Sequence, residues 1–264
     1  MMMIIKAIIL GIIEGLTEFL PVSSTGHLII ANEYINFTGE FANVFDVVIQ
    51  VGAILAVILY FWDKIFPKFN NKRQAKRVYS LWIKVVVGFI PAAALGFLFE
   101  DTIDKYLFNP TAVAVALIVG AVLLIISEAR NKKVRVPDTD DMNIFEAFSV
   151  GVFQCLALWP GMSRSASTII GGLFMGLSRE AAAEFSFFLA IPTIIGASVL
   201  KLFKADLAFN FIEWMTLLTG TFVSFIVALL VIKLFMGYIR KKDLKPFAYY
   251  RIVLAVVVLL IELL

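Results

Sequence analysis

The amino-acid sequence predicts an all-α polytopic membrane protein: six transmembrane helices and two re-entrant helix-loop-helix hairpins in an inverted-topology repeat. Three observations predict it. The 264 residues are 61% hydrophobic and 16% charged, with a mean hydropathy of +0.94, whereas soluble domains are roughly 25% charged. Eight apolar units recur along the chain, several of them near the roughly 20 residues that cross a bilayer. Lys and Arg are concentrated in alternate connections between the units. No connection is long enough for a soluble domain, so residues 1–264 are expected to form a single integral membrane domain.

The units lie at about 3–30, 44–62, 81–99, 111–128, 144–175, 184–203, 214–236 and 249–264. They make two sets of four, repeat one over about 1–135 and repeat two over about 141–264. Shifting the chain by 140 residues superposes Gly11 on Gly151, Leu16 on Leu156, Ser23 on Ser163, Ile29 on Ile169, Ile30 on Ile170, Phe45 on Phe185 and Ile54 on Ile194, and sets Glu14 on the near-isosteric Gln154. Aliphatic identities arise readily by chance in apolar sequence, so the matched Gly, Ser and Glu/Gln positions carry the inference.

The first unit of each set is interrupted. Leu20-Pro21-Val22-Ser23-Ser24-Thr25-Gly26 and Trp159-Pro160-Gly161-Met162-Ser163-Arg164-Ser165 break the apolar pattern with Pro, Gly and hydroxyl residues. Such a break frees backbone groups, which is tolerated at membrane depth only inside protein or facing water. If both units are re-entrant, the connections 62–80, 129–143, 176–183 and 237–248 share one side and carry 15 Lys and Arg, against Lys6, Lys105 and Lys204 on the other. If both units cross, the sides hold 12 and 6. The sharper asymmetry favours hairpins, six crossings, a cytoplasmic basic side and both termini outside. The second set is then inserted upside down, and the loops 21–27 and 160–168 are expected to meet near mid-membrane.

The remaining features have plainer readings. Met1–Leu10 loosely resembles a signal peptide but has no small-residue cleavage site before a polar mature chain, and is read as retained. Cys155 is the only cysteine, so no internal disulfide forms. Lys84, Lys201, Lys233 and Arg251 lie toward segment ends, where they are expected to snorkel. The basic cluster at 64–77 fits topology and anionic lipid, not nucleic acid. Pro91 and Pro192 are expected to kink their helices.

The chemistry concentrates in the interrupted units, because ionisable groups at membrane depth are expensive and usually functional. Glu14 and Glu18 are i, i+4 and share a helix face. As a pair they could bind a divalent cation or hold one proton between them. Ser23, Ser24, Thr25 and Gly26 resemble an anion nest at a helix N-terminus, with simple capping as the alternative. His27, the only histidine, could serve as general acid, general base or nucleophile. Arg164 needs an anion, for which its planar fork suits phosphate, or a structural salt bridge to Glu14 or Glu18. Ser163, Ser165 and Thr168 could add donors, and Gln50, one turn after Asp46, is a further candidate for the cavity wall.

These residues carry a family resemblance. Glu14-Gly-Leu-Thr-Glu-Phe-Leu-Pro-Val-Ser-Ser-Thr-Gly-His27 and Phe153-Gln-Cys-Leu-Ala-Leu-Trp-Pro-Gly-Met-Ser-Arg-Ser165, in that order, resemble the undecaprenyl-diphosphate phosphatases of the intramembrane, bacitracin-resistance type, with a match along essentially the whole chain. The resemblance implies hydrolysis of C55-isoprenyl diphosphate to the monophosphate carrier lipid and inorganic phosphate, supporting peptidoglycan synthesis, and a requirement for Mg²⁺ or Ca²⁺. It places Glu14 and Glu18 on the acidic motif, Ser24 and His27 on the nucleophile and proton-transfer positions, and Arg164 on the phosphate-binding arginine. Attack by Ser24, with His27 activating it or a water, is the preferred reading; attack by water or by His27 itself stays open. The expected partners are the polyprenyl diphosphate and membrane lipids, with a homodimer left open. The expected location is the bacterial plasma membrane, with the site open to the outer face. A lipid-phosphate flippase or secondary transporter is the alternative, since inverted repeats with broken helices also build carriers.

Overall fold

The computed structural model describes residues 2–68, 70–107, 109–131, 133–204 and 209–263. Lys132, counted above among the basic residues, and residues 205–208 of the 204–213 connection lie outside the described residues. In chain order the helices are α1 (Met2–Thr17), α2 (Ser24–Ile35), α3 (Glu40–Tyr60), the short α4 (Trp62–Ile65), α5 (Lys72–Leu107), α6 (Pro110–Arg130), α7 (Ile144–Gln154), α8 (Arg164–Phe174), α9 (Arg179–Lys204), α10 (Phe211–Ile239) and α11 (Lys245–Leu263). Five of them, α3, α5 over Lys72–Phe99, α6, α9 and α10, are long and apolar enough to cross a membrane. With the chain's composition, they make this a multi-pass membrane protein. Helix α11, with Lys245 and Arg251 in its first half, is not one of the five.

Local sequence explains where helices start. Asn109 caps α6 by accepting from Ala112 N–H, and Pro110 follows at the first helical position, where a missing N–H costs nothing. Asn143 with Glu146 and Asn210 with Glu213 form capping boxes for α7 and α10. The two interrupted units each give a pair of helices around a polar loop. In both, the residue before the second helix is a serine at positive φ, Ser23 at 73° and Ser163 at 71°, whose hydroxyl accepts from the N–H three residues on, Gly26 and Ala166. These are positions that the 140-residue shift superposes.

Packing crosses between the two sets of units. Helix α1 lies on α10, α7 on α5, α6 on α11, and α3 on both α9 and α10. Glycine permits two of these approaches, as small residues do where helices pack in membranes. A Cβ on Gly11 would sit 2.6 Å from Gly220 O, and one on Gly151 would sit 2.2 Å from Gly88 O. Gly11 and Gly151 are again partners in the 140-residue shift. The interior between the helices is filled by aromatic and aliphatic side chains, with Phe19 edge-on to Phe187 at 5.1 Å and Phe61 edge-on to Phe188 at 5.1 Å. Phe222, Leu234 and Val253 face outwards.

The four basic connections are neighbours. Lys64 Nζ donates to Glu184 at 2.7 Å, and Thr139 Oγ1 donates to the same carboxylate at 2.6 Å. Arg179 forks onto Glu128, which also accepts from Leu244 N–H. Val136 bridges to Leu177. Burial works against the Lys64 ammonium, but the hydrogen bond and charge of Glu184 win and hold its pKa above the usual lysine value.

Two expectations are corrected. Lys84 does not snorkel: it is 5% exposed and donates to the carbonyls of Thr139 and Asp140 at 3.0 Å each. Arg251 is completely buried, because backbone carbonyls from three segments receive its guanidinium. Pro91 and Pro192 do lie inside α5 and α9.

The glycine approaches predict that Gly11→Ala and Gly151→Ala each lower stability by about 1–3 kcal/mol through overpacking. Denaturant or thermal unfolding in detergent checks this, with Gly237→Ala, whose Cβ would meet nothing within 4 Å, as the neutral control.

Candidate active site

The two polar loops touch. Ser165 Oγ donates to Leu20 O at 2.8 Å, and Arg164 Nη2 donates to Glu18 Oε1 at 3.1 Å across the same seam. Glu18 follows the last turn of α1, with its N–H still on Glu14 O. Arg164 is the first residue of α8. Each loop thus supplies one half of an ion pair, and the side chains are only 7% and 11% exposed.

Ser24 begins α2 and donates its hydroxyl proton to Glu18 Oε2 at 2.6 Å. Glu18 therefore stands between a hydroxyl on one oxygen and a guanidinium on the other. Arg164 is held from behind by Ser186 of α9, whose carbonyl accepts from Nη1 at 2.9 Å, while Phe19 lies beneath the guanidinium, 5.9 Å from Cζ to the ring centre.

These groups open onto a cavity of about 630 Å³. Glu18, Ser24, Thr25, Gln50, Ser163 and Arg164 are among its polar lining. Its other walls are largely apolar and come from α5 and α9, including Phe89, Ala93, Phe97, Ala197 and Leu200. Such a volume lies in the range of small-molecule sites, with few polar groups converging in an apolar enclosure. Helices α2 and α8 both begin among these polar residues, so two sets of unpaired N-terminal N–H groups favour an anion here.

The sequence of this chain matches the family described as bacitracin resistance protein BacA over residues 7–257. It is 53% identical over 260 residues to undecaprenyl-diphosphatase 1 of Clostridioides difficile (strain 630), covering 97% of this chain and 95% of that protein. It is 50% identical to the undecaprenyl-diphosphatase of Clostridium tetani (strain Massachusetts / E88), covering 100% and 98%. It is 51% identical to that of Enterococcus faecalis, covering 98% and 96%. The chain belongs to the BacA family.

Within this BacA chain the structure gathers most of the residues that the sequence singles out, and separates some. Glu14 lies beside Glu18, within electrostatic reach of Asp46 and Arg164. It is completely buried against the Glu18 carboxylate, with no other hydrogen-bond partner for its oxygens among the described residues. Gly26 lies in the first turn of α2, and Ser163 shares a hydroxyl contact with Ser165 at 3.1 Å. Thr168 does not line the cavity: its hydroxyl contacts Arg164 O at 2.9 Å and Ser186 Oγ at 2.7 Å, bracing the arginine from behind.

His27 differs from expectation. The structure pairs Ser24 with Glu18, and directs the imidazole to α11 instead. Its Nδ1 meets Ser23 O at 2.7 Å and its Nε2 meets the Tyr250 hydroxyl at 2.6 Å. It lines a separate, mostly apolar pocket with Ile13, Ile30 and Val253. The two residues are i and i+3 on α2 and so lie on adjoining faces, but each side chain has its own partner: Ser24 turns to Glu18 in the first loop, and His27 to Tyr250 of α11.

Sequence reasoning missed Gln154, Thr193, Ser186 and Arg251. Gln154 and Thr193 line the cavity and share a hydrogen bond at 3.4 Å. The position of Gln154 opposite Glu14 in the repeat was the available signal. Ser186 and Arg251 had none, because their roles depend on which helix faces which loop.

Freeing the guanidinium has a measurable consequence. Glu18→Gln is expected to weaken the pair by about 1–3 kcal/mol. Added inorganic phosphate should then raise the unfolding temperature more in this variant than in the parent, because the anion binds the folded state only. A thermal-shift titration in detergent reads both effects.

Proposed function

We propose that this protein hydrolyses undecaprenyl diphosphate to undecaprenyl phosphate and inorganic phosphate, recycling the carrier lipid for peptidoglycan synthesis and thereby conferring bacitracin resistance. The observation that carries the reading is the Ser24–Glu18–Arg164 chain lining a largely apolar cavity: an acceptor on a hydroxyl, beside a cation suited to phosphate. The curated relatives named as undecaprenyl-diphosphatases support it over the full length.

In this reading the isoprenoid lies along the apolar α5 and α9 walls, and the diphosphate reaches the polar lining. Glu18 takes the proton of Ser24 as its Oγ attacks the terminal phosphorus. The bond from that phosphorus to the bridging oxygen breaks, and undecaprenyl phosphate leaves. Glu18 passes that proton to the departing phosphate, then deprotonates a water that attacks the phosphoserine, and gives this second proton to Ser24 Oγ as inorganic phosphate leaves. Arg164 moves from Glu18 to the phosphoryl oxygens, and the helix N-termini with Thr25, Ser163 and Gln50 hold the rest of the charge. Electrostatic stabilisation of this kind is the main source of phosphoryl-transfer catalysis. His27 acts here by holding the Ser23–Ser24 turn against Tyr250.

A divalent cation, Mg²⁺ or Ca²⁺, belongs to the proposal. Among the described residues no three His, Cys, Asp or Glu side chains form a protein-only cage. The Glu14 carboxylate, which meets only the Glu18 carboxylate among the described residues, nonetheless suits Mg²⁺, which typically uses one or two carboxylates and completes its shell with water and substrate phosphate. Glu14 and Glu18 would hold it, and it would neutralise phosphate charge.

The six-crossing inverted repeat, with re-entrant hairpins, belongs to the same proposal. It is supported by the clustering of the four basic connections, by the matched serine caps, and by the crossed packing of α1 on α10 and α7 on α5. In a bacterial plasma membrane the basic end would face the cytoplasm and the cavity the outer face.

Purified protein in detergent is expected to release phosphate from a polyprenyl diphosphate, which a flippase or carrier would not do without two compartments. Ser24→Ala, Glu18→Gln and Arg164→Ala should each lose at least about 100-fold in kcat, about 2.7 kcal/mol of transition-state stabilisation. Rates unchanged in folded variants would sink the site. Chelation should abolish release and added Mg²⁺ or Ca²⁺ restore it; full activity after exhaustive chelation would remove the cation from the scheme.

A further inference from the structure

Arg251 sits on α11, outside both polar loops, and is fully buried. Its hydrogen-bond acceptors are all backbone carbonyls. Nε donates to Leu117 O at 3.2 Å and Nη2 to Ala116 O at 3.2 Å, both on α6. Nη2 also donates to Gly161 O at 3.3 Å in the second loop, and Nη1 to Pro21 O at 3.5 Å in the first. Pro21 and Gly161 are superposed by the 140-residue shift. Each lies three residues before a reacting group, Ser24 in one loop and Arg164 in the other.

The fold makes room for this guanidinium. A Cβ on Gly120 would lie 2.1 Å from Nη2 and 2.8 Å from Cζ, so any larger residue there would displace the guanidinium from its seat against α6. Gly161 takes a φ of +92°, a conformation that residues with a Cβ rarely adopt. Among the described residues Arg251 forms no ion pair. A buried charge without a counter-ion is expensive, so plain stability does not account for it. Its fork does what few side chains can, reaching three separate backbone segments at once.

We infer that Arg251 is a positioning residue for the phosphatase reaction, clamping the Ser24 loop and the Arg164 loop to one another and to α6. The inference rests on the phosphatase reading above. It also implies that the two loops are rigid before substrate arrives, with the hydroxyl and the phosphate-binding arginine already in register.

The test uses the full-length protein in detergent with Arg251→Met, Arg251→Lys and Gly120→Ala. The last keeps the guanidinium but fills its seat. Hydrogen exchange read by mass spectrometry is expected to rise in peptides covering 20–27 and 159–165 and to stay unchanged in α10. For phosphate release from a polyprenyl diphosphate, kcat should fall by about tenfold to a hundredfold in Arg251→Met, the scale of a misaligned site. KM should stay within about threefold, as for loss of a contact that serves the transition state. Arg251→Lys should fall between, and Gly120→Ala should follow Arg251→Met in direction. In an Arg164→Ala background, Arg251→Met should add little, because what the clamp sets is the register between Ser24 and that arginine, which is already lost.

Unchanged exchange in both loops, or full multiplication of the Arg164 and Arg251 effects, overturns the inference. If Arg251→Met does not fold, Arg251→Lys and Gly120→Ala decide by the same readouts. A parent protein that releases no phosphate would sink the phosphatase reading, while the exchange measurement would still decide the clamp.

Discussion

Two helices broken inside an apolar bundle must find partners for the backbone and side-chain groups that the breaks expose, and they find them in each other. Ser165 on Leu20 O and Arg164 on Glu18 are the direct bonds between the loops. Separating the loops would strand a carboxylate and a guanidinium in low dielectric, a far larger penalty than either bond contributes in place. The seam therefore closes because opening it is so unfavourable. The rest of the architecture serves that closure, from the glycine approaches of α1 and α7 to the bracing of Arg164 by Ser186 and Thr168.

The same constraint supplies chemical capacity. Polar groups gathered at the seam are partly satisfied by one another and partly turned toward the cavity. Glu18 is the pivot, since its two oxygens serve groups of opposite function, a proton donor and a cation. In the proposed reaction an anionic phosphate would take over the cation without leaving the carboxylate unpaired, because Ser24 stays on its other oxygen. Exchange of partners at one atom pair, with the other retained, lets a buried site accept a charged ligand without exposing a bare charge.

Much of this was legible in the sequence. Polar residues inside apolar units marked both loops, and the count of basic residues marked which connections share an end; the contacts of Lys64, Thr139 and Glu184 and of Glu128 with Leu244 agree with it. The Ser23 and Ser163 match, at a fixed offset, corresponded to the same positive-φ cap in both interrupted units. What was not legible followed from helix rotation and long-range packing. Whether His27 faces Ser24 or Tyr250 depends on how α2 is turned between α1 and α11. Lys84 and Arg251 looked like end-of-segment charges because distance along a helix is visible in sequence, whereas carbonyls arriving from 55 or 230 residues away are not.

Helix α9 joins two regions that look unrelated. Glu184, gripped by Lys64 and Thr139 at the basic end, precedes Ser186, which grips Arg164, by only two residues on one rigid helix. Less than a turn of helix separates the anchor in the rim from the anchor in the reaction chamber. Any axial slide or twist of α9 must therefore disturb both together, which makes the rim ion pair a mechanical reporter on the arginine inside.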